Sequence, residues 1–418
     1  MSTSGEDAPE LSVIVPTYNR SALLRQTLEN LARQRLPADR FEVIVSDDGS
    51  SDDTRAVVED AASALRMRYH FQPDEGFRAG AARNAGARLA RAPILVFLDT
   101  GALVGPDHLE RHLAEHAGGA RVAVVGYAHG YEVESVMPGL SEALLATRPE
   151  DVVATFRDQP QFADARHPQF AACDFDLTRL AAPWLLFWTL NCSLRADDFW
   201  AVGGFDEDYR GWGLEDLDLG YRMHRDGVGF RLTRSAWVVH APHERDLDAI
   251  MAECMVNLGR LLSKHPEPAM ELVWQLLRSG DLLDLEECYQ VLLSWTERAR
   301  TVDTAPELAE TLRRLAPAGR VAVVGAGPAR PETQPAAVLL DFDAAVLAAG
   351  HEAVGHHAIG IRTPLADQSV DAVIITSRLA GLWPRWGDDV LAEARRIGRA
   401  VHLTDPLARQ TTSAPAHS

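Results

Sequence analysis

The chain has 418 residues, 46% of them hydrophobic and 24% charged, with a formal net charge of −19. That composition is globular, and the length predicts two to three domains rather than a single core. The acidic balance argues against nucleic acid or an anionic membrane as the main partner, since both require clustered cations. It leaves room for a local basic pocket facing a phosphate group.

The start, "MSTSGEDAPE", is polar and acidic and lacks the basic and apolar segments of a signal peptide. "LSVIVPTY" is a continuous apolar run ending near a Pro, as expected of a strand buried on both faces. "SALLRQTLENLARQR" sets Leu24, Leu28 and Leu31 on one helical stripe. "FEVIVSDDGS" repeats the strand pattern, and "SDDTRAVVEDAASAL" is a helix with an Asp/Ser-rich start. A short strand near Tyr69, the Ala/Gly-rich helix "AGAARNAGARLA" and the strand "APILVFLD" follow. This alternation predicts an α/β domain with a mainly parallel, Rossmann-like sheet, whose ligands bind at the carboxyl ends of the strands. Asp47, Asp48 and Asp99 fall at those ends.

Farther along, "FWTLNCSLRADDFW" reads as a strand carrying Asn191, a minor site candidate. The preceding stretch from about 130 to 180 has no interpretable motif; Phe156, Phe162, Phe170 and Phe175 either cover an acceptor or pack. In "YRGWGLEDLDLGYRMHRDG" a helix begins near Leu214, with Leu214, Leu217 and Tyr221 on its inward stripe. From about 245 to 315 helical periodicity dominates, and from Gly319 "RVAVVGAGP", "AAVLLDFD", "VDAVIITS" and "AVHLTDP" read as strands of a smaller α/β unit. The expected division is 1–245 for the first domain, 246–317 for a helical connector, 318–407 for the second α/β domain and 408–418 for a disordered tail. The four cysteines, Cys173, Cys192, Cys254 and Cys288, contain no CxxC pair, which suits reduced buried thiols. No apolar run reaches the length of a membrane span, so a soluble cytoplasmic protein is expected.

Several of these residues invite chemistry. A strand-end acid such as Asp48 can read a base edge or a ribose, while Asp47 and Asp52 also suit Asx-turns and helix capping. Arg78 and Arg83 carry planar forks that match diphosphate oxygens, or each pairs with a surface acid. Trp212 between Gly211 and Gly213 offers an aromatic plate to a sugar ring on a backbone free to move. Glu215 and Asp216 stand in a first helical turn, where the dipole alone accounts for two acids at roughly 0.3–1 kcal/mol each. A carboxylate so placed can also deprotonate an attacking hydroxyl.

Taken in order, "VIVPTYNR", "VIVSDDGSSDDT", "GFRAGAARNAGA", "FLDTG" and "GWGLEDLDLGYR" resemble the family-2 nucleotide-sugar glycosyltransferases of GT-A fold, over roughly residues 10–245. The last motif is similar to the acceptor loop of chondroitin-type polymerases and of galactosyl and polypeptide GalNAc transferases. The resemblance implies an inverting transfer from a nucleotide-diphospho sugar, in the first instance a UDP-sugar, to an acceptor that is a natural product, peptide or glycan. Pro16, Tyr18 and Asp48 would hold the base, Arg78 and Arg83 the diphosphate, and Trp212 and Glu215 the sugar or acceptor. Asp216 would be the base, and Asp99 would hold the ribose or a metal.

The chain departs from the family's Asp-x-Asp, because Gly101 stands where the second acid would bind Mn²⁺ or Mg²⁺. Losing that carboxylate weakens a hard-cation site. His240 is then the candidate second ligand beside Asp99, ahead of His243.

The C-terminal unit looks like a shortened methyltransferase or Rossmann domain. Its lone G-x-G has Arg330 in place of a third glycine, and no room follows for the usual first helix. A structural, acceptor-docking or dimerising role is favoured over cofactor binding, with a homodimer as the corresponding partner. Two rival expectations are a degenerate, non-catalytic sugar-binding module and a bifunctional glycosyl- and methyltransferase.

Overall fold

The computed structural model describes residues 8–131, 137–243, 246–315, 319–328, 337–348 and 355–413. Arg330 and the last five positions of the expected tail lie outside them. The chain forms two compact units, Met1–Asn257 and Leu258–Ser418.

In the first unit the apolar runs become strands as their patterns require. β1 (Leu11–Thr17), β2 (Phe41–Asp47), β3 (Met67–Phe71) and β4 (Ile94–Leu98) alternate with α1 (Ser21–Leu31), α2 (Thr54–Ala61) and α3 (Ala79–Leu89). All seven residues of β2 and all five of β4 are buried, the mark of strands covered on both faces. β1 pairs in parallel with both β2 and β4, and β2 with β3. The strand ends carrying Asp47 and Asp99 therefore open on one edge of the sheet.

The sheet continues through β5 (Ala102–Val104), α4 (His108–Glu115) and β6 (Val122–His129). The helices α5 (Leu140–Ala146), α6 (Pro149–Phe156) and α7 (His167–Ala172) precede β7 (Asn191–Arg195) and α8 (Ala196–Ala201). Then come α9 (Glu215–Arg225) and β8 (Gly229–His240). The order is β3-β2-β1-β4-β7-β6-β8-β5. β7 runs antiparallel to β4 and β6, and β5 antiparallel to β8, so the mainly parallel sheet carries antiparallel members in its later half. This mixed, eight-stranded arrangement is the GT-A fold.

The motif-free stretch folds as packing. Phe162 and Phe170 are fully buried; Phe162 stacks on His129 and Phe170 lies near Tyr127. On α4, His108, His112 and His116 point inward at helical spacing. The His112 ring bonds Ser193 Oγ at 2.8 Å and Asn191 Oδ1 at 3.0 Å, so Asn191 belongs to a buried polar network. Burial pushes all three imidazoles down, His112 and His116 to about 4.

α10 (Leu247–Lys264) leads into the second unit, where α11 (Pro268–Ser279), α12 (Leu285–Ala299) and α13 (Ala305–Arg314) follow. A parallel sheet ends the chain: β9 (Val321–Val324), β10 (Val338–Asp341), β11 (Gly355–His357), β12 (Val370–Ile375) and β13 (Gly398–Leu403). α14 (Ala344–Ala348), α15 (Trp383–Ile397) and α16 (Asp405–Ser413) accompany it, and α16 gives helical order to residues expected as disordered tail. The strand order β11-β10-β9-β12-β13 is Rossmann-like. All four cysteines are buried and unpaired.

Candidate active site

A cleft of about 500 Å³ opens at the strand ends of the first unit. Its lining includes Pro16, Tyr18, Asp48, Arg83, Asp99, Trp212 and His240, residues drawn from nearly the whole length of the unit.

Asp48 follows β2 and is buried. Its carboxylate accepts from Gln72 Nε2 at 2.5 Å and from the Arg78 backbone N–H at 2.8 Å. Burial raises its pKa, and those donors together with the Arg78 guanidinium pull in the opposite direction. Asp47 instead turns its Oδ1 to the N–H groups of Gly49 and Ser50, at 3.1 and 2.7 Å, and accepts from Tyr69 at 2.6 Å. Asp52 likewise receives Thr54 and the Ser21 N–H. The two acids with turn-forming alternatives take them, and Asp48 alone of the three lines the cleft.

The arginines hold protein groups. Arg78 binds Glu75 at 2.9 Å and the Pro73 carbonyl, and its Nη2 stands 3.5 Å from Asp48. Arg83 is buried and donates to Asp99 Oδ1 at 2.8 Å and to Glu215 Oε1 at 3.0 Å. Burial works against its charge, but the two carboxylates outweigh it and keep the guanidinium protonated. Arg83 thus joins the end of β4 to the first residue of α9.

Gly101 follows Asp99 in a left-handed turn, with φ +92 between β4 and β5. Any other residue there is strained, which gives a local reason for the absent acid. The turn is held by the Gly101 N–H bonding Thr27 Oγ1 at 2.9 Å and by Thr100 Oγ1 bonding the Pro16 carbonyl at 2.8 Å.

His240 ends β8 opposite Ala102, buried, with its ring 4.9 Å from that of Tyr131 and 5.3 Å from that of His243. Asp99 and His240 both line the cleft, but among the described residues no group of three or more His, Cys, Asp or Glu could hold a metal. Among the described residues the side chains placed to meet a cation in the cleft are Asp99 and His240, and Asp99 shares its carboxylate with Arg83.

The loop before α9 is conformationally unusual. Gly211, Gly213 and Leu214 have φ of +79, +93 and +73. For Leu214 that geometry costs roughly 1 kcal/mol or more. It delivers Trp212 to the cleft and starts α9 at Glu215, with Leu217 and Tyr221 turned inward as their spacing required.

Glu215 and Asp216 do not line the cleft. Asp216 is half-buried, with Oδ1 accepting the Leu217 N–H at 2.8 Å. Burial, then the charge of Glu215, push its carboxyl up to about 7, while Arg83 and the Leu217 N–H pull the other way. A carboxyl balanced near neutrality is suited to proton transfer.

Sequence reasoning had no signal for three further cleft residues: Asp246, Ile250 and Glu253, which reach the cleft from α10 and the residue before it. Phe77 also lines it and is 45% exposed, leaving an aromatic face open to a ligand.

In the second unit the acid at the end of β10 is held by protein groups. Asp341, ending β10, accepts the Gly327 N–H at 2.7 Å and Arg378 Nε at 2.8 Å. Arg378 is fully buried and also holds the Ala299 carbonyl. The strand-end acid that would meet a cofactor's ribose is therefore already engaged.

Residues 12–175 match the glycosyl transferase family 2, and residues 171–244 match a second family described as the N-terminal domain of galactosyltransferase. Validoxylamine A glucosyltransferase of Streptomyces hygroscopicus subsp. jinggangensis is 46% identical over 406 residues, spanning 94% of this chain and 96% of that protein. Hyaluronan synthase of Pasteurella multocida is 31% identical over 237 residues, 55% of this chain and 24% of that one. Among solved structures, a mannosyltransferase of Pyrobaculum calidifontis with GDP-Man and Mn²⁺ gives a TM-score of 0.43 at 21% identity, covering 74% of this chain and 81% of its own. S. aureus TarS with UDP-GlcNAc gives 0.42 at 16%, covering 60% and 66%.

Proposed function

Because the chain belongs to glycosyl transferase family 2 and is a glycosyltransferase, we propose that it moves a hexose from a UDP-sugar to a hydroxyl of a small soluble acceptor, with inversion at the anomeric carbon. The glucosyl donor and a validoxylamine-type acceptor are taken over from the relative that matches nearly the whole chain.

In this reading Asp48, flanked by Pro16 and Tyr18, receives the uracil edge. Asp99 would bind the ribose or, with His240, would hold a divalent cation. Such a cation supplies charge to the leaving diphosphate. Arg83 lines that end of the cleft and also orders Asp99 and Glu215, whereas Arg78, held by Glu75 and the Pro73 carbonyl, would have to leave those partners to reach a diphosphate. Trp212 stacks on the sugar, Glu215 binds a hydroxyl, and Asp216 takes the acceptor proton once the loop carrying Trp212 shifts and uncovers it. One base and direct displacement make inversion the outcome.

The observation that carries this reading is the Arg83 bridge. One guanidinium holds Asp99 at 2.8 Å and Glu215, the residue before Asp216, at 3.0 Å. With Asp341 held by Arg378 and the Gly327 N–H, S-adenosylmethionine chemistry is not part of the proposal; a docking or dimerising role is. The absence, among the described residues, of a helix able to cross a membrane agrees with a cytoplasmic enzyme.

The test is transfer from UDP-glucose to validoxylamine A, before and after chelation and with Mn²⁺ added back, with the product's anomeric configuration read by NMR. A β-linked product and restoration by Mn²⁺ are expected. An α-linked product would refute the single-base scheme, and transfer indifferent to chelation would remove the cation.

A further inference from the structure

Positions 246, 250, 253 and 257 recur every three to four residues and fall on one stripe along α10 and the residue before it. The first three of these, Asp246, Ile250 and Glu253, line the cleft. The last two grip the loop that carries Trp212. Glu253 Oε2 accepts the Trp212 N–H at 2.7 Å. Asn257, fully buried, donates through Nδ2 to the Gly213 carbonyl at 2.9 Å and to that of Trp212 at 3.4 Å.

The fit also explains the two glycines sterically. A Cβ on Gly211 would stand 2.9 Å from the Cβ of Glu253, and one on Gly213 would stand 3.2 Å from the Cys254 sulfur. Gly-Trp-Gly is thus not simply a flexible mount for an aromatic ring. It is a backbone shaped to lie against one face of α10, with Gly211 and Gly213 in the left-handed conformation that glycine tolerates. The Gly211 N–H bond to the Phe77 carbonyl, 3.0 Å, pins the other edge of the turn to the donor side of the cleft.

We infer that Glu253 and Asn257 are positioning residues for acceptor transfer, holding the Trp212 backbone so that the ring stands over the cleft and α9 begins with Glu215 and Asp216 beside Arg83. This rests on the acceptor-loop role proposed above. The stripe is part of the active site although it lies beyond the β-sheet and inside what periodicity alone marks as a connector. Its two anchors differ in kind: Glu253 is exposed and accepts a hydrogen bond, whereas Asn257 is buried and donates them. Removing either frees a different peptide unit of the same loop.

The experiment uses the full-length protein with Glu253→Ala, Glu253→Gln and Asn257→Ala, and Asp216→Asn in parallel. Because Glu253 is exposed, its variants keep the fold, which melting curves check. For transfer between UDP-glucose and validoxylamine A, Glu253→Ala should lower kcat/KM for the acceptor about tenfold or more, the effect of one lost charged hydrogen bond. The Kd for UDP, read by calorimetry, should stay within about twofold. Glu253→Gln retains an oxygen for the Trp212 N–H and should recover most of the loss. Asn257→Ala should resemble Glu253→Ala.

Amide hydrogen exchange over residues 209–216 supplies a readout that needs no acceptor, and it should quicken in Glu253→Ala but not in Glu253→Gln. Wild-type transfer and exchange in Glu253→Ala would overturn the inference, as would equal damage from Ala and Gln or a parallel loss of UDP affinity. An inactive Asp216→Asn beside a fully active Glu253→Ala refutes the positioning role alone. An active Asp216→Asn refutes the underlying assignment of the base.

Discussion

Replacing Asp216 with Asn removes the proposed base without changing its shape, and the structure sets both consequences. Asparagine keeps an oxygen for the Leu217 N–H, so the bond seen at 2.8 Å survives. A positioned general base contributes about 10²–10⁴-fold, so kcat/KM for the acceptor should fall by that factor. With the carboxyl near 7, roughly a tenth of the wild-type enzyme is ionised at pH 6 and roughly nine-tenths at pH 8, giving about a tenfold rise in kcat/KM across that span.

The same variant should be more stable than wild type in alkaline solution. A carboxyl lifted from 3.8 to about 7 binds more protons folded than unfolded between those values, so wild-type stability declines as pH climbs through that window. The deficit amounts to at most about 4 kcal/mol above neutrality and disappears near pH 4. The assay pairs steady-state transfer at pH 5.5–8.5 with melting curves of both proteins at pH 4.5 and 8. Wild-type turnover by Asp216→Asn, or a flat profile through neutrality, would refute the assignment. Equal melting temperatures at pH 8 would refute the electrostatic account of the site.

Arg83→Ala leaves Asp99 and Glu215 facing each other without the cation between them. A loss of about 3–5 kcal/mol is expected, seen as a melting temperature lower by roughly 10 °C. Asp48→Ala removes the acceptor from the base slot and also from Gln72 and the Arg78 N–H, so calorimetry should show UDP binding weakened roughly 10–100-fold and the melting temperature should fall by a few degrees. The inward histidines of α4 predict acid sensitivity. Imidazoles held neutral by burial, two of them to about 4, bind fewer protons folded than unfolded between about 6.5 and 4. Stability should therefore be full above pH 6.5 and drop as pH falls through that range. His116→Gln should flatten the drop in melting curves.

Much of the first unit was legible from local pattern. Continuous apolar runs become strands covered on both faces because only such burial tolerates them, and the order of the acid-bearing strand ends places Asp48 and Asp99 on one sheet edge. The stripe Leu214, Leu217, Tyr221 located α9 to within a residue. The Asx-turn alternatives for Asp47 and Asp52 were also readable, since an Asp two residues before a free N–H satisfies it locally.

Tertiary structure decided which charges meet. Arg83 and Glu215 are 132 positions apart and Trp212 and Glu253 are 41 apart, and neither separation has a periodicity from which contact can be inferred. Arg78 and Arg83 have forks suited to phosphate, yet protein carboxylates and a carbonyl already occupy them, because a buried guanidinium requires partners whether or not a ligand is bound. The same rule pairs the buried Arg378 with Asp341 in the second unit. Local sequence selects backbone conformation and burial through short-range sterics and hydropathy. The partners of a buried charge, and hence its chemistry, are selected by whatever distant segment the folded chain brings within about 3 Å.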